Sequence, residues 1–243
     1  MTQLSIVIPA YNEEDRIKPC LSKTLAFLDR QPYESEVVVV SDGSKDHTVE
    51  VAETLGAQFK TPLRALHYTP NRGKGYAVRY GMLAATGKRV LFMDADYAVP
   101  ITDVDKAFAV MDQGNDIAIG SRGISGATVK VSQNLARALS ARAYTLVQNT
   151  WLGFSYPDTQ CGFKMFTKDA AQALFSKQKL SSVIFDAEIL WMAKKLGFRA
   201  GQFPVTWTHI EDSRIQYDSF RKYLFVFQEL FRVRTLHPEL KGR

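Results

Sequence analysis

Between Leu4 and Met93, short apolar runs alternate with stretches of helical periodicity, and this alternation restricts the fold more than any other property of the chain. Leu4-Ser5-Ile6-Val7-Ile8-Pro9 reads as a buried strand ending at Pro9, since proline lacks the N–H that a central strand donates. The polar segment Tyr11 to Asp15 then leads into a helix, with acids in its first turn as the helix dipole favours. Ile17, Leu21, Leu25 and Leu28 are spaced to form one apolar face of that helix. Glu36 to Val40 is a second strand, Ser41 to Asp46 a turn, and His47, Thr48, Val51 and Leu55 begin a second helix. A third strand near Leu63 to Tyr68 leads through Asn71-Arg72-Gly73-Lys74-Gly75 to a helix over Tyr76 to Thr86, then to the strand Val90 to Met93. The alternation predicts an α/β fold: a doubly wound, mostly parallel sheet with right-handed crossovers and flanking helices.

In such a sheet, ligands bind in the crevice beyond the carboxyl ends of the strands. The loops after Pro9, at Asp42 and at Asp94-Ala95-Asp96 would all line it. Residues i and i+2 of an extended segment share a side, so Asp94 and Asp96 can converge just past their strand. Two adjacent carboxylates repel unless a cation lies between them, and a divalent Mg²⁺ or Mn²⁺ that also bridges phosphates is the usual resolution. A solvated turn is the plainer reading of the pair taken alone. The loop Asn71 to Gly75 opens a helix whose free N–H groups suit phosphate, with Lys74 as a point charge. Taken alone, Lys74 reads equally as a solvated helix-start lysine.

Further along, Ile117 to Arg122 is a strand ending at an arginine, and Lys130 to Leu152 is a helical stretch carrying Arg137 and Arg142. Asp158 to Phe166 looks like a turn into an edge strand or hairpin, and Ser182 to Glu188 starts a helix running to about Leu196. Phe203 to His209 alternates like a strand, and the polar loop Ile210 to Asp218 carries Arg214. The 243 residues suit one compact domain, and with 46% apolar and 23% charged residues the chain should be folded throughout. The net charge of +6 points to an anionic partner without choosing among nucleic acid, phosphorylated molecules and acidic lipid. Cys20 and Cys161 offer neither a disulfide framework nor metal spacing, which fits a reducing compartment. The N-terminal residues lack the pattern of a signal peptide, and no apolar run approaches the roughly 20 residues needed to span a bilayer.

The set Ser5 to Glu14, Ser41-Asp42-Gly43-Ser44, Asn71-Arg72-Gly73-Lys74-Gly75 and Asp94-Ala95-Asp96 resembles family 2 glycosyltransferases, nucleotide-sugar enzymes of the GT-A fold. More narrowly, Asp158-Thr159-Gln160-Cys161-Gly162-Phe163-Lys164 and Phe185-Asp186-Ala187-Glu188 look like the dolichyl-phosphate or polyprenyl-phosphate glucosyltransferases. The resemblance implies that Pro9, Tyr11 and Glu13 line the base and ribose pocket and that Asp42 accepts a hydrogen bond from the base edge. Ser41 departs from the family pattern, which often has an acid there. Asp94 would hold ribose or metal, Asp96 the metal bridging the diphosphate. Lys74, Arg122 and Arg214 become candidate charges on diphosphate or acceptor phosphate, with Gln160 and Lys164 on sugar hydroxyls or acceptor. Asp158 could equally cap a turn and Asp186 the helix after it.

The implied reaction is inverting transfer of a hexose to a polyprenyl phosphate. A phosphate acceptor needs no general base, since its second ionisation lies near pH ~6. Asp186 or Glu188 is the reserve base for a hydroxyl acceptor. Mannosyl relatives typically carry Gln where this chain has Ala98, and Ser-Gly-Phe-Arg where it has Cys161-Gly162-Phe163-Lys164; both departures favour UDP-glucose over GDP-mannose. A nucleotidyltransferase would announce a glycine-rich basic loop after the first strand, whereas Pro9 to Asp15 is acidic. A non-catalytic nucleotide-sugar-binding protein would not need the paired carboxylates, and the aromatic pattern argues against nucleic acid.

The chain is expected to divide into a catalytic domain over 1–219 and an amphipathic helix and tail over 220–243. Phe220, Tyr223, Leu224, Phe227, Leu230 and Phe231 form an apolar stripe flanked by Arg221, Lys222, Arg232 and Arg234. Such a stripe suits an anionic membrane surface, with Lys130, Arg137 and Arg142 extending the basic face. Packing on the domain or pairing two copies would use it equally. The expectation is a cytoplasmic enzyme, peripheral on a membrane's cytoplasmic face.

Overall fold

A computed structural model gives the fold, describing residues 2–129, 135–208 and 220–240, and only the backbone of 135–141, 220, 222 and 223. In chain order the first half comprises β1 (Leu4–Ala10), α1 (Ile17–Leu28), β2 (Ser35–Asp42), α2 (Thr48–Gly56), β3 (Leu63–Tyr68), α3 (Lys74–Ala84), β4 (Arg89–Met93) and α4 (Val104–Asp112). There follow β5 (Ile117–Ser121), β6 (Thr128–Val129), α5 (Leu135–Leu152), β7 (Phe163–Thr167), α6 (Lys168–Phe175), α7 (Phe185–Leu196), β8 (Ala200–Pro204), β9 (Thr206–Trp207) and α8 (Phe220–Leu236). Seven strands form one sheet in the order β3-β2-β1-β4-β7-β5-β8, and β6 pairs with β9 beside it.

The inner strands β1, β2, β4, β7 and β5 are buried on both faces, which is why they read as continuous apolar runs. Successive side chains of a strand go to opposite faces, so β2 sends Val38 and Val40 to one core and Val37 and Val39 to the other. The first core, with Val7, Val90 and Phe92, is covered by α3, α6, α7 and α8. The second, with Ile6, Ile8 and Leu91, is covered by α1, α4 and Ala52 of α2. Each fully buried aliphatic side chain contributes roughly 1.5–3 kcal/mol. The expected face of α1 is the observed one: Ile17, Leu21, Leu25 and Leu28 are all buried.

Three expectations need correction. Pro9 does not end β1, which continues to Ala10. Pairing with β4 stops at Val7, so the missing N–H of Pro9 leaves no gap in that ladder. The strand after Asp158 is not at an edge: β7 runs antiparallel between β4 and β5. Its Lys164 is 1% exposed and neutralised by Asp186 at 2.6 Å. Finally, the stretch expected as one strand from Phe203 is β8, which starts at Ala200, then a break at Val205, then β9.

Helix α8 covers the first core with Val226, Leu230 and Val233, joined by Leu240 beyond it. The expected division after Ser219 therefore does not separate two cores. The expected stripe is split by this packing: Leu230 is buried and Phe227 partly so, whereas Leu224 and Phe231 face outward with Phe225. The side chains of Phe220, Lys222 and Tyr223 lie outside the described residues, as do Lys130 and the side chain of Arg137.

Candidate active site

Asp94 follows β4 directly, and the β4–β7 register sets Met93 opposite Phe163, so Asp94 meets the residue before β7. Its N–H donates to Gly162 O at 3.1 Å. A Cβ at residue 162 would fall 2.0 Å from Asp94 Oδ2, so only glycine lets β7 approach this carboxylate. Lys74, the first residue of α3, places Nζ 2.6 Å from Asp94 Oδ1. Asp96 Oδ1 accepts the Ala98 N–H at 3.0 Å, which turns the chain back. Between them Tyr97 holds φ 58°, a left-handed conformation costing about 1–2 kcal/mol for a residue with a Cβ. Its hydroxyl accepts the Ile101 N–H, and Lys23 Nζ lies 4.9 Å over its ring. Burial, then the Asp94 charge, raises the Asp96 carboxyl above its usual range. For Lys74, burial works against the charge, but Asp94, Asp186 and Asp96 outweigh it and raise the ammonium.

Asp42, at the end of β2, is fully engaged by the protein. Oδ1 accepts from Tyr68 Oη at 2.9 Å and Arg72 N at 2.7 Å; Oδ2 accepts from Asn71 Nδ2 at 3.0 Å and Gly73 N at 2.9 Å. Four donors meet its two oxygens, so Asp42 also holds the loop that presents Lys74. Glu13 is likewise occupied, pairing with Arg16 through both oxygens at 2.5 and 2.6 Å. Its segment is stitched to the loop after β2 by Asn12 N to Ser44 Oγ, Glu13 N to Thr48 Oγ1 and Lys45 N to Asn12 Oδ1. Pro9 is buried within β1, while Tyr11 is 39% exposed.

Arg122 follows β5 and grips Asp158 through Nε at 2.7 Å, Nη2 at 2.9 Å and its backbone N–H at 3.0 Å, with the guanidinium 5.4 Å over the Trp207 ring. Burial alone would raise the Asp158 carboxyl, but hydrogen bonds and charge from Arg122 hold it below the usual range. Asp158 Oδ1 also accepts the Gln160 N–H, so it closes a turn as well as pairing. The Gln160 amide nitrogen is buried without a partner among the described residues. Lys164 lies under the site, donating to Asp186 Oδ1 and Cys161 O at 2.6 Å each. Asp186 does not cap α7, whose N-cap is Ile184; burial raises its carboxyl against the opposing charges of Lys164 and Lys74.

Glu188, the reserve base of the sequence reading, is held by the protein. It is 0% exposed, and its oxygens accept Lys179 N at 2.9 Å and Leu180 N at 2.8 Å and meet His237 Nε2 at 2.6 Å. These bonds fix the segment 178–182, which in turn fixes the start of α3: Ser181 O accepts the Gly75 N–H at 2.8 Å, and Gln178 Nε2 donates to Gly75 O at 2.9 Å. Ser182 Oγ donates to Glu229 Oε2 on α8 at 3.2 Å. Asp186, 3% exposed, is likewise engaged, as the counter-ion of Lys164.

The structure thus gathers Lys74, Asp94, Asp96, Lys164 and Asp186 in one charged cluster, with Arg122 and Gln160 beside Asp158 and Glu188 behind it. Arg214 lies outside the described residues. Sequence reasoning did not anticipate Gly162, Tyr68, Trp207 or His237, whose roles depend on partners far away in the chain. Among the described residues no group of three or more His, Cys, Asp or Glu side chains could hold a metal. Two hard carboxylates close in the chain nonetheless fit a divalent cation whose remaining ligands would come from phosphate and water.

The family model described as Glycosyl transferase family 2 matches residues 5–175. A dolichyl-phosphate beta-glucosyltransferase of Drosophila melanogaster is 37% identical, the alignment covering 95% of this chain and 74% of that protein. The Homo sapiens protein of the same name is 33% identical, with 88% and 69% covered. Among solved structures, glucosyl-3-phosphoglycerate synthase of Mycobacterium tuberculosis, in complex with Mn²⁺, UDP and glucosyl-3-phosphoglycerate, aligns with a TM-score of 0.68 at 16% identity over 97% of this chain and 80% of that one. This likeness shows the GT-A fold. With the family match over most of its sheet and relatives of this identity, the chain belongs to glycosyltransferase family 2.

Proposed function

We propose that this chain is an inverting hexosyltransferase moving glucose from UDP-glucose to the phosphate of a polyprenyl or dolichyl phosphate. The observation that carries this reading is the meeting of Lys74, Asp94 and Asp96 at the carboxyl end of β4, where a nucleoside diphosphate would lie. The names of the Drosophila melanogaster and Homo sapiens relatives supply the substrate class, since both are called dolichyl-phosphate beta-glucosyltransferase.

Asp94 and Asp96 would hold Mg²⁺ or Mn²⁺. When bound, such an ion supplies positive charge against the leaving diphosphate. The remaining steps belong to the chain's own residues. Tyr11 offers its ring to the base, and Lys74 gives the diphosphate an ammonium at a helix N-terminus. Gln160 turns its unpartnered amide to a sugar hydroxyl or the acceptor. Arg122, held by Asp158 and Trp207, and Arg214 bring charge to the acceptor phosphate. No residue need remove a proton, because a phosphate monoester is largely doubly ionised near neutral pH. The burial and pairing of Asp186 and Glu188 agree with a base-free attack. The acceptor's lipid tail requires the enzyme to work at a membrane surface, which we take to be the cytoplasmic face.

The test is incubation with radiolabelled UDP-glucose or GDP-mannose, prenyl phosphate, and Mg²⁺ or Mn²⁺. Label should enter the lipid from UDP-glucose and require the cation. Incorporation from GDP-mannose alone would overturn the donor assignment, and release of UDP without lipid labelling would overturn the acceptor.

A further inference from the structure

The charges around Asp94 nearly balance without any added ion. Asp94, Asp96 and Asp186 face Lys74 and Lys164, three carboxylates against two ammoniums. Lys164 is fixed: 1% exposed, it donates to Asp186 and to Cys161 O. Lys74 is not fixed in this way. Its side chain is 22% exposed and its ammonium rests 2.6 Å from Asp94 Oδ1, one of the oxygens a divalent cation would use. Lys74 and a divalent ion cannot both lie against that oxygen without strong mutual repulsion. Once displaced, the ammonium needs another anion, and Asp186 is already engaged. A diphosphate in front of the α3 N-terminus would be that anion.

We infer that Lys74 is a built-in counter-cation for the Asp94–Asp96 pair, which it releases to a divalent metal only when a donor diphosphate takes up its ammonium. Metal and nucleotide therefore bind with positive coupling, and neither binds well alone. Free metal is discouraged from settling between the two acids in the absence of donor. The inference rests on the donor reading above and adds the order and synergy of loading.

The test measures binding, not turnover: Mn²⁺ titrated by its paramagnetic resonance signal, and UDP titrated calorimetrically, each with and without the other. In the wild-type protein, saturating UDP should tighten Mn²⁺ binding about tenfold or more, and Mn²⁺ should tighten UDP by the same factor, as reciprocity demands. Equal Mn²⁺ affinity with and without UDP would overturn the inference with no variant needed. Lys74→Met keeps most of the side-chain volume and removes the charge. It should bind Mn²⁺ without nucleotide about tenfold more tightly than wild type, after discounting the Coulomb term for solvent screening, and the coupling should shrink by about the same factor, leaving only the part that comes from the ion's own bonds to the diphosphate. Lys74→Arg, which keeps the charge, should retain weak Mn²⁺ binding. Unchanged or weaker Mn²⁺ binding in a folded Lys74→Met protein would contradict the counter-cation role. Failure of UDP to bind under any condition would overturn the donor reading and this inference together, whereas UDP binding without coupling would overturn this inference alone.

Discussion

Gly162 carries the least chemistry of the residues around Asp94 and leaves the least room for change. A methyl group there would lie 2.0 Å from Asp94 Oδ2, and the adjoining N–H···O bond ties the two backbones. Gly162→Ala should therefore fold, with a melting temperature within a few degrees of wild type, yet lose about a hundredfold in transfer, as misplacement by about 1 Å does elsewhere. Circular dichroism with the radiolabel assay checks this; near-normal activity would show that Asp94 tolerates displacement. Glu188 should respond in the opposite way. Glu188→Gln turns an acceptor into a partial donor facing the N–H groups of Lys179 and Leu180, costing about 1–3 kcal/mol. It should melt at lower temperature while keeping activity within a few-fold, where loss of a general base would cost at least about a hundredfold. The Asp-x-Asp pair could be read from sequence because strand periodicity is local. The partners of Asp42 and Glu188 could not, since they lie 26 to 31 and 8 to 49 residues away.

At the scale of elements, β1, β2, β4 and the buried face of α1 were legible because a strand buried on both faces and an amphipathic helix have distinct periods. The placement of β7 was not: an antiparallel strand inserted between two parallel ones is a matter of tertiary pairing. The junction of β5 and β7 offers a pH test. Arg122, after β5, and Asp158, before β7, are bound by two side-chain hydrogen bonds and one backbone bond. The Asp158 carboxyl lies below its unfolded value near 3.9, so its contribution is complete above about pH 4 and fades as pH falls through the folded value. Asp158→Asn should cost about 2 kcal/mol at neutral pH, less than the 3–5 kcal/mol of a fully buried pair because Arg122 is partly exposed. In denaturant titrations of both proteins the gap should narrow progressively as pH falls below about 4; a gap independent of pH would mean the pair's charge contributes nothing.

For the whole molecule, α8 works on two sides. Its inner face completes the core with Val226, Leu230 and Val233, so a chain truncated after Ser219 should be insoluble or unfolded by circular dichroism. Its outer face carries Leu224, Phe225 and Phe231, and Trp151 of α5 meets Phe231 with ring centroids 5.2 Å apart. Leu146, 69% exposed, belongs to the same pair of helices, and Arg142, Arg221, Arg232 and Arg234 are exposed on them. An apolar surface with basic neighbours suits an anionic bilayer. The full chain should sediment with anionic liposomes, less so at high salt, and a Leu224→Glu, Phe231→Glu variant should remain in the supernatant while keeping its fold. Equal sedimentation of both would assign the surface to another use. The inner attachment also has a temporal side. The segment 178–182 grips Gly75 and is itself held by Glu188 with His237 and by Glu229. During translation the glycine-flanked lysine leaves the ribosome early, but its support is complete only after residue 237 has emerged. A nascent chain halted before that point would carry every recognisable motif of the family and still lack a rigid seat for its donor.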